Sequence, residues 1–264
     1  MAEDLLLRSD ADGIATLTLN APQSLNVLSD AMLAALQAQI DTLAEDRTTR
    51  VVVLRGAGRA FCAGHDLKEM TTARQSEDGG AAAFKDLFDR CARMMMGLQA
   101  LPQPVIAQVH GIATAAGCQL VATADMAVAA EGTRFGVNGV NIGLFCSTPM
   151  VALSRNIPRK QAFELLTTGE MIEAQKAQAL GLVNRVVPTE DLEAETNALA
   201  TKVAEKRGAV VAIGKRAFYE QSQMSLADAY AFTGNVMVKN MALRDTEEGI
   251  AAFLDKRPPN WSDG

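Results

Sequence analysis

Three observations predict an α/β protein. The segments Val51–Leu54 and Val105–Val109 are short and continuously apolar, as strands buried on both faces of a parallel sheet are. Between and around them lie segments whose apolar residues recur every three or four positions, as crossover helices require. Aromatic residues are only 5% of the chain, while Ala, Met and Gly are plentiful. Small side chains let backbones approach closely, which suits a densely layered α/β protein better than a β-sandwich. With 264 residues, 48% hydrophobic and 21% charged, the chain can bury a sizeable core and is too apolar to be disordered. At about 150 residues per domain it is one large domain, or one domain with an appendage.

The elements follow in order. Ile14–Leu19 alternates apolar and polar residues, as a half-buried strand should. Asp12 and Gly13 are a hairpin-turn signal that pairs it with Leu5–Arg8. Ser29 caps a predicted helix with Met32, Leu33, Leu36, Ile40 and Leu43 on one face. After Val51–Leu54 comes a glycine-rich stretch, GAGRAFCAGHDLKEM, and then TTARQSEDGG (71–80), a polar segment expected to be a mobile loop. The next helix runs to about Gln99, with Phe84, Leu87, Phe88, Cys91, Met95 and Leu98 aligned, and Pro102 and Pro104 stop it. Met126–Ala130 reads as one more strand, and Gly181 ends a helix over 173–180. Beyond Pro188 the pattern is helical almost throughout, over 192–203, 210–221, 226–243 and 247–254. The expected organisation is a core over 1–190 and a helical region over 191–264, whose apolar positions predict packing on another subunit.

Charge and composition narrow the function. With 25 basic and 31 acidic residues the net charge is −6, which argues against a nucleic-acid partner. Any anionic ligand must be held by local groups. The opening MAEDLLLRSD is acidic with a short apolar run, and no span of about 18 apolar residues exists, so a soluble cytoplasmic protein without membrane association is expected. Cys62, Cys91, Cys118 and Cys146 form no C-x-x-C pair, and the chain has only two histidines, so no metal site is expected and the thiols read as free and buried.

Two strand-to-helix junctions can carry chemistry. Helix starts leave backbone N–H groups unpaired, and the helix dipole favours an anion or a developing oxyanion there. The tiny residues Ala63, Gly64, Ala115, Ala116 and Gly117 let a ligand approach the backbone. Such turns are commonly structural alone. Neither a dinucleotide nor a P-loop glycine pattern is present.

The blocks RAFCAGHDLKEM (Arg59–Met70) and QPVIAQVHGIATAAGCQLVATAD (Gln103–Asp125) resemble the two signature loops of the crotonase family, the enoyl-CoA hydratase/isomerase superfamily. The likeness continues in order through RFGVNGVNIGL, TTGEMIEAQKAQALGLVNRVVP and EGIAAFLDKRPPNW, covering nearly the whole chain. It implies a spiral of ββα turns with a helical C-terminal trimerisation region, and a homotrimer or dimer of trimers. It also implies an acyl-CoA thioester as substrate, with coenzyme A entering as part of that substrate and no permanently bound cofactor. By motif position, the backbone N–H groups of His65 and Ala116 form the implied oxyanion hole. CoA contacts are implied around Ala63, Asp66, Leu67 and Lys68, with Arg59 near the loop and Lys256 brought by a neighbouring subunit. Each of these charges is also readable as a solvated surface group. Gln23 and Ser24 stand where the family has a basic residue.

A hydratase of this family uses two glutamates. Here those positions are Gln119 and Gly139, and neither can accept a proton. A positioned acid or base contributes about 10²–10⁴-fold, so hydration is expected to be weak or absent. His65 reads equally as an acid–base group or as a loop residue present for its amide; Asp66 reads as a helix N-cap and His110 as a satisfied core histidine. Cys118 and Cys146 read as buried thiols. Asn138 and Asn141 flank the lost glutamate and read either as turn residues or as contacts for polar substrate groups. The readings left open are an acyl-CoA enzyme (weak hydratase, isomerase, decarboxylase or thioester hydrolase) and a non-catalytic acyl-CoA-binding protein.

Overall fold

The computed structural model describes residues 4–261; the first three residues of the acidic N-terminal stretch and the last three of the helical region lie outside it. The chain opens with the hairpin β1 (Leu6–Ala11) and β2 (Ile14–Leu19), turned at Asp12 and Gly13, both with positive φ. Helix α1 (Asp30–Glu45) starts where the Ser29 side chain accepts from Met32 N, and all five residues of its expected apolar face are buried. Then follow β3 (Val51–Gly56), α2 (Leu67–Ala73), α3 (Ala81–Ala100), β4 (Val105–Val109), β5 (Ile112–Thr114), α4 (Ala116–Thr123), β6 (Met126–Ala130) and β7 (Arg134–Gly136). The rest is α5 (Pro149–Asn156), α6 (Arg159–Thr168), β8 (Ile172–Glu173), α7 (Ala174–Leu180), β9 (Arg185–Val187), α8 (Leu192–Ala204), α9 (Gly208–Gln221), α10 (Leu226–Met241) and α11 (Arg244–Leu254).

A six-stranded sheet runs β1-β2-β3-β4-β6-β9; only β1 and β2 pair antiparallel. A smaller sheet runs β5-β7-β8, with β5 and β7 parallel. Val51, Val53, Ile106 and Val128 cover one face of the large sheet and meet Leu192, Leu199 and Ala200 of α8, while Val52, Leu54, Val105 and Ala107 face the main core with α1 and α3. Helix α8 thus covers one face of the large sheet.

The expected mobile loop over 71–80 is corrected in part. Thr71–Ala73 complete α2, with the Thr71 and Thr72 hydroxyls donating to carbonyls four residues back. The remainder is a hydrogen-bonded turn: the Asp78 carboxylate accepts from Gly80 N and Ala82 N at 2.9 and 2.8 Å and so caps α3.

Helix α9 is tied to the core by a buried ion pair. Lys215 Nζ donates to Asp125 Oδ2 at 2.7 Å and to the carbonyls of Leu98 and Gln103 at 3.0 and 2.9 Å. Asp125 also accepts from Tyr219 OH and Val105 N, at 2.7 and 2.6 Å. Helix α10 buries none of its residues: Tyr230 is 73% exposed and Val238 70%, and on α11 Phe253 is 82% exposed.

Candidate functional site

The two glycine-rich loops are stitched to each other. Phe61 and Cys62 N–H donate to the Ile112 carbonyl at 3.1 and 3.2 Å, and Thr114 N donates back to Cys62 O at 3.0 Å. On the far side, the buried Asn26 carboxamide donates to the Ala57 and Ala60 carbonyls, each at 2.8 Å, and Leu28 N donates to Gly64 O at 2.7 Å. The first loop is thus fixed before α2 begins, and the Asp66 carboxylate starts that helix by accepting from Lys68 N at 2.8 Å and Glu69 N at 3.4 Å.

Glycines let the loops touch. A Cβ on Gly117 would fall 2.1 Å from Cys62 O, so α4 can begin against this backbone only without a side chain there. Gly64 has φ +94°, and a Cβ on it would stand 3.0 Å from Ala115 Cβ and 3.3 Å from Ala116 N. Ala115 adopts φ 50°, ψ −120°, a strained conformation for a residue with a side chain, anchored where its N–H donates to Gly136 O at 2.9 Å. Among the described residues, neither His65 N–H nor Ala116 N–H is paired with an acceptor. The expected pair of free amides therefore flanks one contact between the loops.

A cavity of about 610 Å³ opens at this contact. His65, Ala116, Gly139, Ala63, Asp66, Leu67 and Lys68 all line it, and Ile142, Leu144 and Phe145 supply apolar wall. Gln119, Arg59 and Lys256 do not reach it. Gln119 sits in α4, every residue of which is buried, and its Oε1 has no hydrogen-bond partner. Arg59 lies on an exposed turn whose carbonyl packs at Gly111. Lys256 follows α11 on the exposed surface, outside the cavity of its own chain.

Asp66 is the only carboxylate among the lining residues, and its Oδ1 caps α2. The His65 ring packs edge-on to Phe88, centroids 5.8 Å apart, and its two nitrogens are shielded without a well-formed hydrogen bond. Burial lowers its pKa below the ordinary imidazole value, so the ring is neutral near pH 7. Burial raises the Cys146 thiol and pushes Cys118 up to about 12, so neither is a thiolate. His110 Nε2 pairs with Gly58 O at 2.8 Å, as a structural histidine does.

At Gly139 a Cβ would lie 2.4 Å from Leu144 O and 2.8 Å from Cys146 Sγ, so the following loop occupies the space a side chain would need. The flanking asparagines differ. Asn141 Nδ2 donates to Gly169 O at 3.1 Å and staples the loop, whereas Asn138 Oδ1 accepts from Thr114 Oγ1 at 2.7 Å on the cavity wall.

The chain belongs to the enoyl-CoA hydratase/isomerase family: the family model matches residues 9–264. Enoyl-CoA hydratase domain-containing protein 3, mitochondrial, of Xenopus laevis is 48% identical over 95% of this chain and 83% of that protein. The human protein of the same name is 47% identical over 95% of this chain and 81% of its own length. Among solved structures, an enoyl-CoA hydratase of Mycobacterium smegmatis superposes with a TM-score of 0.94 at 54% identity, covering 98% of this chain and 99% of the other. Human enoyl-CoA hydratase domain-containing protein 3 gives 0.92 at 46% identity, covering 97% of this chain and 100% of the other. The frog and human relatives are named mitochondrial, which overturns the expectation of a cytoplasmic protein drawn from the N-terminal composition.

Proposed function

We propose that this chain binds acyl-CoA thioesters in the cavity and stabilises a thioester enolate with the His65 and Ala116 amides. The observation that carries the reading is the contact of the two loops, where the absent side chain of Gly64 leaves its Cβ position 3.3 Å from Ala116 N. An enolate places negative charge on the carbonyl oxygen, and a preorganised donor there is worth about 2.7–4 kcal/mol. Coenzyme A enters as the carrier of the substrate, with Lys68 at the cavity as the local positive charge in a chain of net charge −6.

Hydration is expected to be weak or absent. Gln119 carries no carboxylate and Gly139 offers only backbone, so neither family position can move a proton. Chemistry that generates the enolate without a base, such as loss of CO₂ from a malonyl-type thioester, suits these walls. A second reading, an acyl-CoA-binding protein without chemistry, is favoured by the capped Asp66, the protonated Cys146 and the shielded His65 ring. The uncovered apolar residues of α10 and α11 support assembly with further copies of the chain, as a trimer or dimer of trimers.

The test is a continuous absorbance assay on crotonyl-CoA, followed by a panel of acyl-CoAs read by mass spectrometry. Turnover near that of a two-glutamate hydratase would overturn the expectation of weak hydration. Product from any thioester supports an enzyme; saturable binding without product supports the second reading; no binding at all refutes both.

A further inference from the structure

On the cavity wall, the Asn138 carboxamide is held by a bond that leaves its own N–H groups unconsumed. Thr114 stands two residues before the Ala116 amide, and its carbonyl oxygen is 3.2 Å from the Gly64 Cβ position, so it borders the place where the thioester carbonyl would sit. Its hydroxyl donates to Asn138 Oδ1 at 2.7 Å. That bond fixes the carboxamide and leaves both hydrogens of Nδ2 without an acceptor among the described residues. Nδ2 is also absent from the shielded, unpaired polar atoms, so it is solvent-accessible on a residue that lines the cavity. Asn141, three residues on, spends its amide on Gly169 O. The neighbouring wall is apolar, formed by Ile142, Leu144 and Phe145.

Resting on the acyl-CoA reading, we infer that Asn138 is a specificity-determining residue: its amide selects thioesters whose acyl chain carries an acceptor oxygen close to the carbonyl, such as a 3-hydroxy group, over plain alkyl chains. A saturated alkyl group entering beside this donor strips water from it and returns nothing, whereas an oxygen on the third carbon restores the lost hydrogen bond. Thr114 acts as a positioning residue, because without its hydroxyl the carboxamide is free to rotate.

The experiment is calorimetric titration of the full chain with butyryl-CoA and with each enantiomer of 3-hydroxybutyryl-CoA. The wild type is expected to bind one hydroxy enantiomer roughly 3- to 10-fold more tightly than butyryl-CoA, the range of a neutral hydrogen bond. In Asn138→Leu that ratio falls to about one, and in Thr114→Val, which keeps the side-chain volume, it falls part of the way. Equal affinities in the wild type, or a ratio that survives both substitutions, overturns the role of Asn138 and leaves the acyl-CoA reading standing. Failure of every thioester to bind the wild type sinks the acyl-CoA reading and this inference with it.

Discussion

Replacing Gly64 by alanine is the sharpest probe of the two-loop contact. At φ +94° a residue with a side chain is strained, which costs about 1–3 kcal/mol. The new methyl would also stand 3.0 Å from Ala115 Cβ, 3.2 Å from Thr114 O and 3.3 Å from Ala116 N, with backbone on the opposing side. The loops must then separate by a few tenths of an ångström at the point where the amides meet. Gly132 supplies the control, since it has φ +75° and nothing within 4 Å of its Cβ position. Gly132→Ala carries the strain without the collision. For a chain of this length each kcal/mol moves the melting temperature by about 2–4 °C, so both variants should melt about 2–12 °C lower in calorimetry at fixed protein concentration. Only Gly64→Ala should lose carbonyl polarisation, read as the infrared shift of a ¹³C-labelled butyryl-CoA carbonyl on binding. Where a reaction is found, its rate should fall up to the 10²–10³-fold associated with one oxyanion donor. An unaltered infrared shift in Gly64→Ala would refute the assignment of these amides to the thioester oxygen.

Three further outcomes follow from geometry. Lys215→Met removes the cation beside Asp125 and leaves two carbonyls without their donor; losing one partner of a buried pair costs about 3–5 kcal/mol, hence roughly 6–20 °C in melting temperature, while Met at the exposed Lys202 should change almost nothing. Gln119→Glu places a carboxylate in buried α4; burial favours its neutral form, so the variant should be destabilised increasingly as pH rises above about 4.3, without gaining hydration of crotonyl-CoA. Asp46 accepts from the Thr48 and Thr49 hydroxyls, each at 2.7 Å, and from both of their amides, which holds its carboxyl well below the ordinary range. A lowered folded-state pKa gives stability that is complete above the unfolded value of about 3.9 and is lost only as pH falls through the much lower folded-state value; urea midpoints of wild type and Asp46→Ala should therefore differ equally at pH 7 and pH 5, with the gap only beginning to narrow at pH 3.

Much of the fold was legible because its signals are local. The Ser29 cap, the five buried residues of α1, the apolar strands β3, β4 and β6, and the Gly181 terminus each depend on residues within a turn or two of one another. The smaller sheet was not, since β5 and β7 span three residues and β8 two, too short for a period to show. At the site, Asp66 was readable as a cap and the amides as loop amides. What sequence could not supply was direction and distance. Arg59 is close to the first loop along the chain, yet its turn faces solvent; Gln119 is three residues from Ala116, and its burial in α4 has no sign in its polar residue type. The Lys215–Asp125 pair joins residues 90 positions apart, and Thr114 meets Asn138 across 24. The left-handed Ala115 carries no signal in its residue type, because alanine is among the last residues expected there.

The crowding at Gly139 bears on how this site can change over generations. Glycine and glutamate codons can differ by a single base, so an acidic group at this point is one mutation away. With Leu144 O and Cys146 Sγ already inside the volume such a side chain would fill, that mutation arrives as a folding defect before it can be tested as a gain of chemistry. An acidic side chain here would need the segment from Gly143 to Cys146 to be rebuilt first, so the step is barred by packing rather than by the genetic code.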